Sequence, residues 1–205
     1  MTKVGVLSLQ GDFAMHRASL EALGVEVARV VCPEDLAGCE ALVLPGGEST
    51  TMVRLMERNG LRPALERFVR EKPVLGTCAG VILLGKDAEL LPAPPLGILD
   101  VSVERNAYGR QIDSFSATLD AVVLGREVHG VFIRAPRIRR VGEGVQVVAR
   151  RGDEPVGVRQ GNVVGLCFHP ELTSDLGFHR WFLVEVAGLR LPGATAAAER
   201  RLETA

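Results

Sequence analysis

The stretch Pro73 to Gly85 reads PVLGTCAGVILLG, an apolar run interrupted by one cysteine with a glycine two residues to either side. Gly76-Thr77-Cys78-Ala79-Gly80 falls where a short buried strand, Val74 to Thr77, would turn directly into a helix, Ala79 to Leu84. A nucleophile elbow needs that context, and the flanking glycines remove Cβ atoms that would collide in so tight a turn. A thiol at a helix N-terminus also faces unpaired N–H groups and the positive end of the helix dipole, which favour thiolate. The same residues suit a structural cysteine packed beside a bend, since free cysteine is among the most buried residue types. The segment alone leaves both readings open.

A nucleophilic thiol needs a base, and the chain has four histidines, His16, His129, His169 and His179. His16 and His179 fall inside expected helices, as solvated or internally satisfied side chains, and His129 lies in a strand beside Gly130. His169 ends the run Val163 to Phe168 and precedes Pro170, which lacks a ladder N–H and stops the strand at a sheet rim. In extended backbone, residues two apart point the same way, so Glu171 would share a side with His169 and accept its ring N–H. Cys78, His169 and Glu171 then fill the roles of nucleophile, base and orienter of the base. The competing reading is an edge-turn histidine beside a solvated glutamate.

Acyl transfer also needs donors for a developing oxyanion. Pro45-Gly46-Gly47-Glu48-Ser49-Thr50 supplies consecutive amides without side chains, so the Gly47 N–H, with the Ala79 N–H beside Cys78, is a candidate donor. The same loop reads as a helix cap, with Ser49 or Thr50 as the capping residue. A phosphate cradle would need G-x-x-x-x-G-K-[ST], which is missing, and no lysine lies nearby. Cys167 and His169 share a strand face, but no second Cys or His cluster completes four ligands, so no metal is expected.

These groups must be brought together by the elements around them. Lys3 to Leu9, Val25 to Val31, Ala41 to Leu44 and Val74 to Thr77 read as strands. Between them fall helices over Phe13 to Leu23, from Ser49 or Thr50 to Asn59-Gly60, and over Leu61 to Glu71. Short connections and the alternation of strand and helix point to a doubly wound parallel sheet. Past Pro92-Ala93-Pro94-Pro95 the texture changes to strand-like runs: Ile98 to Glu104, Gln111 to Leu119, Val128 to Arg134, Val145 to Ala149, Glu154 to Arg159 and Asn162 to Phe168. The sheet should therefore gain a mixed or antiparallel section. A last amphipathic helix is expected over Asp175 to Val186, and a frayed or weakly helical tail from Leu191.

The class is therefore α/β, with one domain over residues 1–190 and a C-terminal tail over 191–205. At 205 residues and 47% hydrophobic, the chain can bury one substantial core. Its net charge of -1 provides no field to recruit nucleic acid or an anionic membrane. The N-terminus lacks a signal-peptide core, no segment approaches the roughly 20 apolar residues of a membrane helix, and the four cysteines contain no C-x-x-C pair. A cytoplasmic protein is expected.

Six motifs carry a resemblance: GVLSLQG (5–11), LPGGEST (44–50), GTCAG (76–80), VERNAYGRQ (103–111), FIRAP (132–136) and FHPEL (168–172). By them the chain resembles the class I, triad-type glutamine amidotransferases over about residues 3–189. PGGEST, VERNAYGRQ and FIRAP narrow the resemblance to the glutaminase subunits of pyridoxal 5'-phosphate synthase. Ser8 departs from the pattern, where glycine is expected.

The resemblance implies a flavodoxin-like doubly wound mixed sheet flanked by helices. It implies hydrolysis of L-glutamine to L-glutamate and ammonia through a γ-glutamyl thioester on Cys78, with His169 moving the proton and Glu171 orienting it. Gly46, Gly47, Glu48, Arg105, Ile133 and Arg134 would bind substrate, and no cofactor is implied. The implied partner is a (β/α)8-barrel synthase subunit that combines the ammonia with ribose 5-phosphate and glyceraldehyde 3-phosphate. Gln10, in the first βα turn, would sense that partner, unless the turn is merely a connection. Arg137, Arg139 and Arg140 read as a solvated basic face. Two alternatives stand beside this: a glutaminase serving another synthase, such as that of histidine biosynthesis, and a noncatalytic docking subunit that keeps the fold.

Overall fold

The computed structural model describes residues 2–11, 13–88, 91–105, 107 and 114–192. Asp12, most of the 106–113 segment including the end of VERNAYGRQ, and residues 193–205 of the expected tail lie outside the described residues.

The first half alternates as its pattern requires: β1 (Lys3–Leu7), α1 (Phe13–Ala22), β2 (Glu26–Val30), β3 (Ala41–Leu44), α2 (Ser49–Arg58), α3 (Arg62–Glu71), β4 (Val74–Thr77) and α4 (Ala79–Leu84). Eight strands follow: β5 (Gly85–Ala88), β6 (Leu99–Glu104), β7 (Ser114–Ala121), β8 (Arg126–Ile133), β9 (Arg137–Val141), β10 (Gln146–Arg151), β11 (Glu154–Gln160) and β12 (Val163–Leu166). A nine-stranded sheet runs in the order β2-β1-β3-β4-β12-β11-β10-β7-β8. Its first five strands pair parallel. The remaining pairs are antiparallel. The expected flavodoxin-like mixed sheet is therefore present, with β12 returning to close its parallel part.

Burial explains why these strands sit where they do. Every residue of β3, β4 and β12 is buried, as central parallel strands covered on both faces must be. Helix α2 covers them with Met52, Val53 and Met56, and α3 adds Leu65 and Val69, each spaced to share one helix face. The parallel strands all end at one rim, and the strand order reverses between β1 and β3, which opens a crevice there. The turn after β1 brings Gln10, the turn after β3 brings Gly46, the end of β4 brings Cys78, and the end of β12 leads to His169.

Several expectations are corrected. Strands β5 and β9 were not expected, and with β6 they form a second sheet, β5-β6-β9. Strand β9, RIRRV, turns Ile138 into the core while its arginines are held by carboxylates rather than by solvent alone. Arg137 Nε donates to Glu154 Oε1 at 2.6 Å, Arg140 Nη2 donates to Asp100 Oδ1 at 2.6 Å, and Arg139 pairs with Glu104. The last helix is shorter than expected: α5 (Gly177–Trp181) continues into a π-helical turn over Phe182–Val186. Leu191, expected in the frayed tail, is buried, and Pro192 packs near Gly24. Ser8, at the departure from the family pattern, is buried and satisfied by donating to the Val6 carbonyl at 2.9 Å. Among the described residues no helix is long and apolar enough to cross a membrane.

Candidate active site

Cys78 stands at the junction of β4 and α4 with φ 47° and ψ -106°, a conformation that side-chain-bearing residues rarely adopt. Such a backbone costs on the order of 1–3 kcal/mol and must be held by its surroundings. Its N–H donates to the Leu166 carbonyl on β12 at 2.8 Å, and its own carbonyl accepts from Val81 N–H at 3.1 Å. Gly80 makes the elbow possible, because a Cβ there would run into the Leu44 carbonyl of β3. The thiol donates a long bond to the Ile133 carbonyl, 3.7 Å away. The elbow reading of GTCAG is therefore the one the backbone adopts.

His169 follows β12, tied by its N–H to the Val131 carbonyl at 2.8 Å. Its Nδ1 lies 2.7 Å from Glu171 Oε1, while its buried Nε2 makes no hydrogen bond of its own and is the nitrogen left for the thiol. The pairing was expected, but its geometry differs. Residues Pro170–Leu172 form a 3₁₀ turn rather than extended chain, and Glu171 reaches back along that turn. Nor is Glu171 solvated: it is 1% exposed. Burial alone would lower the pKa of His169, but the Cys78 side chain and the Glu171 carboxylate carry it up to about 10. Burial likewise opposes the ionisation of Glu171, yet His16 and His169 hold its carboxyl well below the usual carboxylate range. A base whose pKa is raised in this way keeps the proton it takes from the neighbouring thiol, as a thiolate–imidazolium pair requires.

In front of Cys78 lies a cavity of about 250 Å³, a size suited to a ligand no larger than an amino acid. Gln10, Gly46, Gly47, Glu48, Cys78, Ala79, Arg105, Ile133, Arg134 and His169 all line it, so the chain brings together every expected site residue except Glu171, which stands behind His169. Glu48, not Ser49 or Thr50, caps α2: its carboxylate accepts from Thr50 N–H at 2.9 Å and from Thr51 N–H at 2.7 Å. Burial pushes the Glu48 carboxyl up, but the Thr51 and Thr50 donors bring it down to about 2. It is therefore ionised and also holds Arg105, whose Nη2 reaches Glu48 Oε1 at 3.2 Å and Thr50 Oγ1 at 3.1 Å. Gln10 Oε1 accepts the Glu48 N–H at 2.6 Å, which ties the first βα turn to the glycine loop. The Ala79 N–H belongs to the first turn of α4, where backbone donors have no partner within the helix.

Sequence reasoning missed two side chains here. His16 and His179 are both fully buried; His16 reaches Glu171 from behind, and His179 reaches His16. Each lies on a helix with nothing around it in sequence to mark a site. The Cys167 thiol is also fully buried, its pKa pushed far up by burial. Among the described residues no group of three His, Cys, Asp or Glu side chains is placed to hold a metal ion.

These ionisations set a pH dependence. Burial lowers His179 from 6.5 to about 3, so the unfolded chain takes up that proton first on acidification. Stability should fall as pH drops from about 6.5, by at most roughly 1.4 kcal/mol per pH unit for one group. Below the ordinary carboxylate value of 4.5 the lowered Glu171 adds a second loss. Denaturant midpoints at pH 7 and pH 5 measure the first step, and His179→Gln should flatten it.

A cysteine elbow and a histidine–glutamate pair at the rim of this sheet are the arrangement that the resemblance to glutamine amidotransferases implies. A solved structure described as a glutamine amidotransferase aligns with 91% of this chain and 99% of its own at a TM-score of 0.85 and 50% identity. The chain belongs to the SNO glutamine amidotransferase family, which it matches over residues 6–188. Among curated relatives, a pyridoxal 5'-phosphate synthase subunit PdxT of Thermus thermophilus is 53% identical, covering 91% of this chain and 98% of the relative. The PdxT of Deinococcus radiodurans is 51% identical, over 88% of this chain and 95% of the relative. A structure from Thermoplasma acidophilum described as a GMP synthase subunit shares the fold, at TM-score 0.62 and 17% identity.

Proposed function

We propose that this chain is the glutaminase subunit of a pyridoxal 5'-phosphate synthase: it hydrolyses L-glutamine to L-glutamate and ammonia and delivers the ammonia to a barrel-type synthase subunit. The observation that carries this reading is the 53% identity to a PdxT subunit along 98% of that protein's length. The PdxT relatives at 47–53% identity also favour the vitamin B6 synthase over one of histidine biosynthesis.

In the chemistry we infer, the Cys78 thiol gives its proton to His169 Nε2 and the sulfur attacks the side-chain amide carbon of glutamine. The resulting oxyanion faces the Ala79 N–H and the Gly47 N–H. His169 then gives its proton to the amide nitrogen, the C–N bond breaks, and ammonia leaves a γ-glutamyl thioester on Cys78. Water enters, loses a proton to His169 and attacks the thioester. The thiolate leaves, regains that proton, and glutamate is released. Throughout, Glu171 holds the His169 ring with Nε2 toward the thiol.

Substrate is held, on this reading, by the charged ends of the cavity. The α-carboxylate of glutamine suits an arginine fork, and Arg105, steadied by Glu48 and Thr50, is the arginine we assign to it, with Ile133, Arg134 and the 46–48 loop completing the site. Arg105→Ala should raise KM for glutamine by roughly tenfold or more, with a smaller effect on kcat, the pattern of lost uniform binding. Gln10 is our candidate for sensing the partner, since its side chain already grips the Glu48 N–H. Gln10→Ala should reduce the stimulation of glutaminase activity by the synthase subunit, read as the ratio of rates with and without it.

We place the protein in the cytoplasm, where its four free cysteines stay reduced. We take residues 1–190 as the working domain, with 191–205 a tail whose first residue, Leu191, packs back onto it; the family match ending at residue 188 supports this. Ammonia release from glutamine, measured with and without the synthase subunit, tests the reading; release that survives Cys78→Ala would overturn it.

A further inference from the structure

Behind the triad, three elements place polar side chains around Glu171 where apolar ones would pack more cheaply. His16 from α1, Thr77 from the end of β4 and His179 from α5 are all 0% exposed, as a core Leu or Met would be. His16 Nε2 is hydrogen-bonded to Thr77 Oγ1 at 3.0 Å and lies 3.3 Å from Glu171 Oε2, the buried carboxylate oxygen that His169 does not use and that has no aligned hydrogen-bond donor. His16 Nδ1 lies 3.0 Å from His179 Nε2, with the two rings edge to face. His179 Nδ1 is buried without a hydrogen-bond partner.

One placement of protons fits all of these distances. An ionised Glu171 only accepts, so the His16 nitrogen beside it must carry the proton, donated to Thr77 Oγ1 with Oε2 close by. Nδ1 of His16 is then a bare acceptor, and His179 must donate to it from Nε2. That leaves His179 Nδ1 bare, which accounts for its lack of a partner. The opposite placement sets a lone pair of His16 against a carboxylate and strands an N–H on His179 Nδ1 with nothing to accept it, a loss of about 1–3 kcal/mol.

We propose that His16 is a positioning residue for the triad: its Nε2–H, anchored on Thr77, sets positive charge against the far oxygen of Glu171, and His179 fixes the tautomer in which it can do so. Glu171 is thereby gripped from both sides, by His169 in front and His16 behind, and cannot turn away when the proton moves between Cys78 and His169. Anchoring of this kind matters because a small misplacement of a catalytic group costs far more than the bond that prevents it.

The proposal rests on the glutaminase reading for its kinetic part but not for its spectroscopic part. In ¹⁵N-histidine NMR of the free chain, His16 should be protonated at Nε2 and bare at Nδ1, and His179 protonated at Nε2. With the synthase subunit present, His16→Leu should lower kcat for glutamine hydrolysis by about 10²-fold with KM nearly unchanged. His16→Gln, whose amide N–H takes the place of Nε2–H, should restore most of that loss. A His16 protonated only at Nδ1, a full kcat in a folded His16→Leu, or equal losses in the Leu and Gln variants would overturn the proposal. If His16→Leu does not fold, the Gln variant and the tautomers still decide it. Wild-type protein without glutaminase activity would instead sink the functional reading and leave the NMR result to stand alone.

Discussion

Cys78→Ala abolishes glutamine-dependent synthesis, with kcat for ammonia release lower by roughly 10⁴-fold or more, because no other group in the cavity can form the thioester. The protein itself should survive the change. Alanine keeps the same backbone, the thiol's one hydrogen bond is a 3.7 Å contact to the Ile133 carbonyl, and the N–H bond to Leu166 that holds the elbow is untouched. The denaturation midpoint should therefore move little while activity disappears. Supplying ammonium salt in place of glutamine should restore pyridoxal phosphate formation by the complex, since only the source of ammonia has been removed. Loss of both activities would mean that the variant had damaged docking or folding rather than chemistry.

Gly46→Ala is the second large effect, and it acts without touching a reacting atom. A Cβ at residue 46 would collide with Cε1 of the His169 ring and come within 3.3 Å of the Cys78 Cβ. The ring sits in a buried slot between that loop and Glu171, so it can yield only by swinging away and lengthening its 2.7 Å bond to Oε1. A displacement of this kind is worth about 10²-fold or more in kcat. Overpacking at such a site also costs roughly 1–3 kcal/mol of stability. The two effects separate by measurement: the denaturant midpoint reports the strain, and the rate at saturating glutamine reports the misplaced base. Unchanged kinetics would mean that the loop moves instead of the histidine.

What could be read from the sequence follows from how locally each feature is encoded. The elbow was legible because GTCAG carries its own geometry, strand before and helix after, within a few residues. Ser49 and Thr50 looked like the cap of α2 because hydroxyl side chains usually fill that position; the longer Glu48 does so by accepting from the Thr50 and Thr51 amides, and it also ties Arg105 to the loop. Strands β5 and β9 escaped notice because GKDA and RIRRV are polar, and their partners on β6 and β11 supply the compensating carboxylates from far along the chain. The pairing of β12 with β4, which sets Leu166 beside Thr77 and so His169 near Cys78, joins segments separated by many intervening strands. His16 and His179 meet across 163 residues, and no local pattern could have announced them.

The measurement that bears most directly on the central claim is acid quenching of the two-subunit complex during glutamine turnover, followed by mass spectrometry of the Cys78 peptide. One glutamyl group on Cys78, present in wild type and absent without glutamine, is the expected result. Steady ammonia release with an unmodified Cys78, or a glutamyl group carried by another residue, would contradict it.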